Sequence, residues 1–221
     1  MASKEPSDGQ TLGQSSGQDM TKPRSRTASM ERTTGETAIS LSLDLDGRGS
    51  YSVDTGNGFL DHMVSQIARH GLIDITLKAT GDLHTGWHHL VEDVGITLGR
   101  AFNEALGEAR GIRRMGHAVV PLDETLAMVA LDCSGRGYAS IETTLDDTMV
   151  ETLPGSLVRH FFESFAIEGK INLHAKILAG TDPHHKAEAL CKALARSLRD
   201  ALEPDPRALS EIPSTKGTLS G

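Results

Sequence analysis

The chain has few cysteines, no long apolar run and fewer basic than acidic residues, and each shortage excludes a class of protein. Two cysteines in 221 residues, Cys133 and Cys191, are too few for a disulfide framework. No apolar stretch approaches the roughly 20 residues that a membrane-spanning helix needs. Lysine and arginine number 22 against 30 acidic residues, and the net charge of −8 argues against a nucleic-acid-binding surface. The composition agrees with a soluble enzyme of the cytoplasm, and we expect Cys191 to pack on the apolar face of a helix.

The two ends of the chain differ in composition from its centre. Residues 1–34 are rich in serine, glycine, glutamine and threonine, so we predict a disordered N-terminal tail. Residues 204–221 lose the periodicity of the preceding helix, but they contain the sequence PSTKG. A hydroxyl, an amine and a glycine in this order are suited to binding a phosphate.

The part of the chain between these ends is a duplication. In the first half, FLDHMVSQIARHG predicts a helix, LIDITLKATG a strand and HHLVEDVGITLGRAFNEALG a second helix. The second half repeats this order with SLVRHFFESFAIEGK, INLHAKILAG and HHKAEALCKALARSLRDAL. Two strand-like stretches precede the first helix of each half. We therefore predict an α+β fold in which two ββαβα units, residues 35–118 and 119–203, form one domain.

The duplication contains two copies of the motif HHxxE. The copies are His88-His89-Leu-Val-Glu92 and His184-His185-Lys-Ala-Glu188. In a helix the first histidine and the glutamate lie on one face, whereas the middle histidine is turned about 100° away. One copy can therefore chelate one ion and direct its spare imidazole toward a second ion. Adjacent histidines also occur on ordinary solvated helices, but the recurrence of the motif favours a metal protein.

A further histidine lies in the first helix of each half. His62 and His160 occupy equivalent positions ahead of the two motifs. The duplication then predicts two ligand sets that each draw on both halves, with three imidazoles and one carboxylate in each. One set is His88, Glu92, His160 and His185, and the other is His62, His89, His184 and Glu188. These donors suit Mn, Fe, Co or Zn better than Mg or Ca, and ligand softness does not choose among the first four.

Short stretches along the chain together carry a specific family pattern. They are ETAISLSLDLDG, GFLDHMVSQIARHG, HHLVEDVGITLG, GIRRMG, PLDE, CSGRGY, VRHFFESFA, AGTDPHHKAEALCKALARSL and PSTKG. Over about residues 36–217 the chain resembles imidazoleglycerol-phosphate dehydratases. The resemblance implies pseudo-symmetric halves whose sheets pack on a helical layer. It also implies two Mn²⁺ ions per subunit, held by the two ligand sets, in a closed homo-oligomeric cage of about 24 subunits with sites at subunit interfaces.

The resemblance also implies a reaction and a set of substrate contacts. The reaction removes water from imidazole-glycerol phosphate to give imidazole-acetol phosphate in L-histidine biosynthesis. Substrate contacts are expected among the metal ligands His62, His88, His89, Glu92 and His184, and also at Glu36, His70, Arg114, Arg136, Ser214 and Lys216. Of the latter, the two arginines, the lysine and the serine are suited to the phosphate.

The chemistry of this dehydration explains the need for two metals. No carbonyl acidifies the proton that must be removed, so the imidazole ring has to accept electrons. A metal on each ring nitrogen would produce an imidazolate that expels the hydroxyl, and the resulting diazafulvene has an acidic adjacent C–H. Glu36 is the first candidate for the base because it is not a predicted ligand. Glu188 is the second candidate, since a metal-bound carboxylate is a weaker base.

Two alternative functions are compatible with a pair of metal sites. A di-metal phosphoester hydrolase usually holds its ions about 3.5 to 4 Å apart, commonly with a bridging carboxylate. Here both motif glutamates are assigned to different ions. A non-enzymatic metal-binding cage would leave Glu36, Arg114, Arg136 and Lys216 without a role. The chain departs from the family pattern at Gly86 and Trp87, where two aspartates are usual, next to the first motif.

Overall fold

The structure, a computed structural model, describes residues 25–81 and 83–219 and contains two halves with the same order of elements. The first half consists of β1 (Thr27–Thr33), β2 (Thr37–Asp44), β3 (Tyr51–Asp54), α1 (Gly58–Gly71), β4 (Asp74–Gly81) and α2 (His88–Leu106). The second consists of β5 (Met115–Leu122), β6 (Thr125–Asp132), β7 (Tyr138–Glu142), α3 (Gly155–Glu168), β10 (Asn172–Ala179) and α4 (Pro183–Leu202). A short hairpin, β8 (Met149–Val150) and β9 (Leu153–Pro154), precedes α3.

Each half forms a four-stranded sheet with the same topology. The strand orders are β1-β2-β4-β3 and β5-β6-β10-β7. In both sheets the last pair is parallel and the others are antiparallel. Buried and less buried residues alternate along β2 and β6, so each sheet covers the core with one face. The α+β class and the duplication are confirmed.

The four long helices lie between the two sheets and join the halves. Helix α1 packs on α4, and α2 packs on α3. The α2–α3 approach is close, because a Cβ atom at Gly99 would lie 2.7 Å from the Phe165 carbonyl oxygen and one at Gly95 3.0 Å from that of Phe161. Phe102 and Phe165 meet across the same contact with ring centroids 5.7 Å apart. Each HHxxE motif therefore begins a helix that packs on the first helix of the other half.

Each four-stranded sheet has one strand more than the predicted ββαβα unit. Strand β1 falls within the predicted N-terminal tail, so the predicted disorder does not extend to residues 27–33; residues 1–24 lie outside the described residues. Strand β1 has a polar sequence because it is an edge strand, and only Ala28 along it is buried. In the second half, the stretch predicted as one strand is a hairpin that turns at Asp123 and Glu124. The halves therefore meet before Met115, not at residue 118.

The C-terminal segment lies against the second half. Its described residues form no long helix or strand. Pro204 forms an isolated antiparallel β-bridge with Ile112, and the Gly111 amide donates to the Glu211 carbonyl at 2.8 Å. Cys191 is fully buried on α4, as predicted. Among the described helices, none combines the length and apolar character that crossing a membrane requires.

Candidate active site

The first cluster of ligating side chains lies where α1 meets α4. The Glu188 Oε2 atom is 2.8 Å from His62 Nε2 and 3.2 Å from His184 Nε2. All three donor atoms lie within 4.8 Å of one another, so one cation could contact all of them. The buried ring of Phe59 packs against the His184 imidazole, with centroids 5.3 Å apart, and restricts its orientation. We call these three ligating residues the α1–α4 group.

The equivalent cluster lies where α2 meets α3 and consists of His88, Glu92 and His160. The Glu92 carboxylate is 3.8 Å from His88 Nε2 and 3.7 Å from His160 Nε2, and the two imidazole rings stack at 4.7 Å. His160 Nε2 is buried and has no hydrogen-bond partner within the described chain. A buried ring nitrogen without a partner is unfavourable. A cation bound between these residues, the α2–α3 group, would satisfy it.

The middle histidine of each motif belongs to neither group. The ring of His89 is turned 85° from that of His88, and the ring of His185 is turned 89° from that of His184. His89 Nδ1 lies 3.7 Å from Glu36 Oε2. His185 Nδ1 lies 2.8 Å from Glu124 Oε2. Within a single chain, three of the four predicted ligands of each metal site therefore lie close together.

The carboxylate of Glu188 has a strongly perturbed acidity. Burial by itself raises its pKa, but hydrogen bonds from Lys192 and His62 outweigh this and lower the pKa to about 2. The Lys192 Nζ atom is 2.5 Å from Glu188 Oε1. His70 lies in the last turn of α1. Its pKa is lowered mainly by burial and also by the positive charge of Lys192. A carboxylate held in this way is suited to binding a cation and is a weak base.

Glu36 presents a carboxylate in a different environment. It lies in the turn between β1 and β2, and its side chain is 53% exposed. The hydroxyl of Thr34 accepts the backbone amides of Glu36 and Thr37 at 3.1 and 3.0 Å, which fixes the turn without engaging the Glu36 carboxylate. The position next to His89 leaves this carboxylate accessible for proton transfer.

The residues predicted to bind phosphate line one cavity of about 730 Å³. Its lining includes Arg114, Arg136, Ser214 and Lys216, together with Ser134. The guanidinium of Arg114 donates to Asp132 at 2.7 Å and to the Pro213 carbonyl at 2.6 Å. Arg114 therefore holds the C-terminal segment in place as well as adding positive charge. No member of either histidine group lines this cavity.

Comparison with known proteins assigns the chain to a family. Residues 55–198 match the family model described as imidazoleglycerol-phosphate dehydratase. The chain belongs to the imidazoleglycerol-phosphate dehydratase family. It is therefore an enzyme, a dehydratase of histidine biosynthesis.

Relatives and solved structures agree with this assignment. The chain is 58% identical to imidazoleglycerol-phosphate dehydratase of Dehalococcoides mccartyi over 88% of its own length and 97% of the relative. It is 53% identical to the enzyme of Albidiferax ferrireducens, over 88% of this chain and 95% of that one. The structure matches imidazoleglycerol-phosphate dehydratase of Pyrococcus furiosus with a TM-score of 0.73 and 35% identity, covering 86% of this chain and 99% of that one.

Lys192 and Glu124 lie near these clusters and were not predicted from the sequence. Lys192 lies one helical turn after Glu188, so the i,i+4 spacing could have indicated the pair. Glu124 contacts His185 from the β5–β6 turn. Comparison of the two halves could have found it, because Glu36 and Glu124 each precede the second strand of their unit.

Proposed function

We propose that this dehydratase converts imidazole-glycerol phosphate to imidazole-acetol phosphate and water, using two Mn²⁺ ions per chain. The observation that carries the proposal is the pair of equivalent groups, each with two imidazoles and one carboxylate in mutual reach. The phosphate cavity adds the second element that such a substrate needs. Because Cys133 and Cys191 are free thiols, we also propose a cytoplasmic location.

The donor sets fit a divalent transition-metal ion. His62, His184 and Glu188 would hold one ion, and His88, Glu92 and His160 would hold the other. Nitrogen-rich sets with one carboxylate favour manganese, iron, cobalt or zinc over calcium. Such ions would act as Lewis acids on the two nitrogens of the substrate imidazole.

Each ion would gain a further ligand from another copy of the chain. His89 and His185 belong to neither group of their own chain, and their side chains are 32% and 31% accessible, so each could meet a neighbouring molecule. The phosphate cavity is also separate from both groups. These observations favour a homo-oligomer whose active sites lie at subunit interfaces, as in the closed cage of about 24 subunits proposed here.

The protein groups have separate tasks in the proposed reaction. Arg136, Lys216 and Ser214 bind the phosphate, whose charge does not change during dehydration. Glu36 removes the proton from the carbon next to the one that loses its hydroxyl. Glu36 is better suited to this task than Glu188, because the pKa of Glu188 is lowered to about 2 and its carboxylate already accepts from Lys192.

A di-metal phosphoester hydrolase is disfavoured by the geometry. The two groups use different helix pairs, and Glu92 and Glu188 each belong to one group only. A carboxylate shared between closely spaced ions, which such hydrolases commonly use, is not found among the described residues of these groups. A passive metal store would leave the arginine-lined cavity without a ligand.

The proposal is tested by metal analysis combined with an assay on imidazole-glycerol phosphate. The Mn²⁺-loaded wild-type chain should contain two ions and release imidazole-acetol phosphate. Glu92→Gln and Glu188→Gln should each lose one ion, at different sites, whereas the exposed Glu142→Gln should lose none. Unchanged metal content in both ligand variants would refute the ligand sets. Absence of product from the fully loaded chain would refute the reaction.

A further inference from the structure

Glu124 connects a strand turn, a helix start and a motif histidine. Its Oε1 atom accepts hydrogen bonds from the backbone amides of Thr181 and Asp182 at 3.0 and 2.9 Å. These two residues immediately precede α4. Its Oε2 atom lies 2.8 Å from His185 Nδ1. One carboxylate thus fixes both the backbone ahead of the second motif and the ring of the motif's middle histidine.

The first histidine of the same motif has an equivalent contact from another turn. His184 Nδ1 lies 3.1 Å from Glu151 Oε1, and Glu151 is in the turn of the β8–β9 hairpin. The Nε2 atom of His184 faces the α1–α4 group, 3.2 Å from Glu188. The two histidines of this motif are therefore each held at Nδ1 by a carboxylate from outside α4.

A carboxylate at Nδ1 determines which ring nitrogen can bind a metal. An ionised carboxylate only accepts hydrogen bonds, so Nδ1 carries the proton and the lone pair remains on Nε2. Carboxylates that bind the second nitrogen of a ligating histidine commonly orient the ring and raise its basicity. Glu124 would give this orientation to His185, and Glu151 would give it to His184.

Glu36 holds the equivalent position in the first half, and its carboxylate makes a longer contact. Glu36 precedes β2 as Glu124 precedes β6, but its carboxylate is 3.7 Å from His89 Nδ1, beyond hydrogen-bond distance. Glu36 is also more exposed than Glu124, with 53% against 38% of the side chain accessible. Of these two equivalent carboxylates, Glu124 is hydrogen-bonded to its histidine and Glu36 remains more accessible to solvent.

We infer that Glu124 and Glu151 are positioning residues that each prepare one histidine of the second motif for a different metal ion. Glu124 acts through His185 on the ion of a neighbouring α2–α3 group, and Glu151 acts through His184 on the ion of the α1–α4 group. The inference rests on the proposed metal sites and assigns to them two residues that are not ligands themselves.

Crossed glutamine variants test the inference by equilibrium Mn²⁺ titration of the full chain. At position 124 glutamine retains an oxygen for the backbone amides of Thr181 and Asp182. At either position its amide N–H toward Nδ1 favours the histidine tautomer with the proton on Nε2. His160→Ala leaves the α1–α4 group intact for titration, and His62→Ala leaves the α2–α3 group intact. In the His160→Ala background, Glu151→Gln should weaken the Mn²⁺ affinity about 10- to 100-fold. In the His62→Ala background, Glu124→Gln should weaken it by a similar factor.

The controls separate positioning from general damage and from failure of the sites themselves. In each background the other glutamine variant and Glu142→Gln should leave Mn²⁺ affinity unchanged, and Glu124→Asp should restore part of the loss. Loss of affinity in both backgrounds from either variant would indicate general destabilisation and overturn the inference. If His184→Ala and His185→Ala weaken binding but the glutamine variants do not, the inference is wrong and the sites stand. If the alanine variants also bind normally, the proposed ligand sets fail as well.

Discussion

Arg32 links the polar edge strand β1 to the helix that carries the first HHxxE motif. Its guanidinium donates to Asp93 Oδ1 from Nε at 3.0 Å and from Nη2 at 2.6 Å. The Thr37 hydroxyl donates to the other oxygen of Asp93 at 2.5 Å. Only 9% of the Asp93 side chain is accessible, against 29% of that of Arg32. Replacement of Arg32 by methionine would therefore leave a nearly buried carboxylate without the cation of its ion pair.

The expected cost follows from this burial. Breaking a fully buried ion pair costs roughly 3 to 5 kcal/mol, because the remaining charge is uncompensated. The Thr37 hydrogen bond persists and water reaches the Arg32 position, so we expect about 2 to 3 kcal/mol for Arg32→Met. Lys176→Met breaks the exposed pair of Lys176 and Glu142 and should cost less than about 1 kcal/mol.

Urea unfolding of the metal-free chain measures these differences. A double-mutant cycle with Asp93→Asn should give a coupling energy of about 1 to 3 kcal/mol, since asparagine removes the buried charge that Arg32 compensates. Because the same hairpin carries Glu36, Arg32→Met should also lower kcat more than it raises KM. A cost no larger than that of Lys176→Met, or no coupling to Asp93, would refute the view that this ion pair holds β1 in place.

Three further predictions concern catalysis, pH and assembly. Glu36→Gln should retain both ions and lower kcat by about 10²- to 10⁴-fold, whereas Arg136→Ala should mainly raise KM, by about 10- to 100-fold. Steady-state kinetics combined with metal analysis distinguishes these two effects. Loss of metal in Glu36→Gln would show that Glu36 is a ligand and not the base. The hydrogen bond from Arg26 lowers the pKa of Asp46 from 3.8, so this group stabilises the fold above that pH and loses its contribution as pH falls through the lower folded value. Unfolding free energies of Asp46→Asn should lack this component of the acid dependence, and a pH profile identical to wild type would contradict it. Chelation should reduce the assembly to smaller oligomers and Mn²⁺ should restore its size, as measured by light scattering; an assembly of unchanged mass without detectable metal would show that metal does not hold it together.

The helices and the two histidine–glutamate groups were predictable because their signals are local and repeated. Helix α1 was predicted to begin one residue after its observed start at Gly58, and α4 begins one residue before the predicted His184. The spacing within HHxxE places the histidine and glutamate on one helical face wherever the helix packs. The duplication then indicates that His62 and His160 have equivalent roles.

The missed features depend on contacts between distant residues. Strand β1 is exposed along most of its length, so its composition matches that of a disordered tail until Arg32 meets Asp93. The β5–β6 hairpin turns within two residues, including Asp123 at a φ of 47°, without glycine to mark the turn. The role of Glu124 depends on α4 beginning beside that turn.

The duplication also accounts for two histidine–glutamate groups beside one cavity that is lined by the predicted phosphate contacts. Arg26 precedes β1 as Arg114 precedes β5, and the sequence Gly-Arg-Gly follows both β2 and β6. In the first half Asp46 stands at the position equivalent to Ser134 and binds the Arg26 guanidinium through both of its oxygens. Asp132 binds the Arg114 guanidinium in the same bidentate way, so the two halves differ in the serine and not in the pairing of the arginine. Only the second half continues into a segment that adds Ser214 and Lys216 to the cavity. The two proposed ligand groups thus follow the symmetry of the duplication and the predicted phosphate contacts do not, so we expect one substrate to be bound for every two ions.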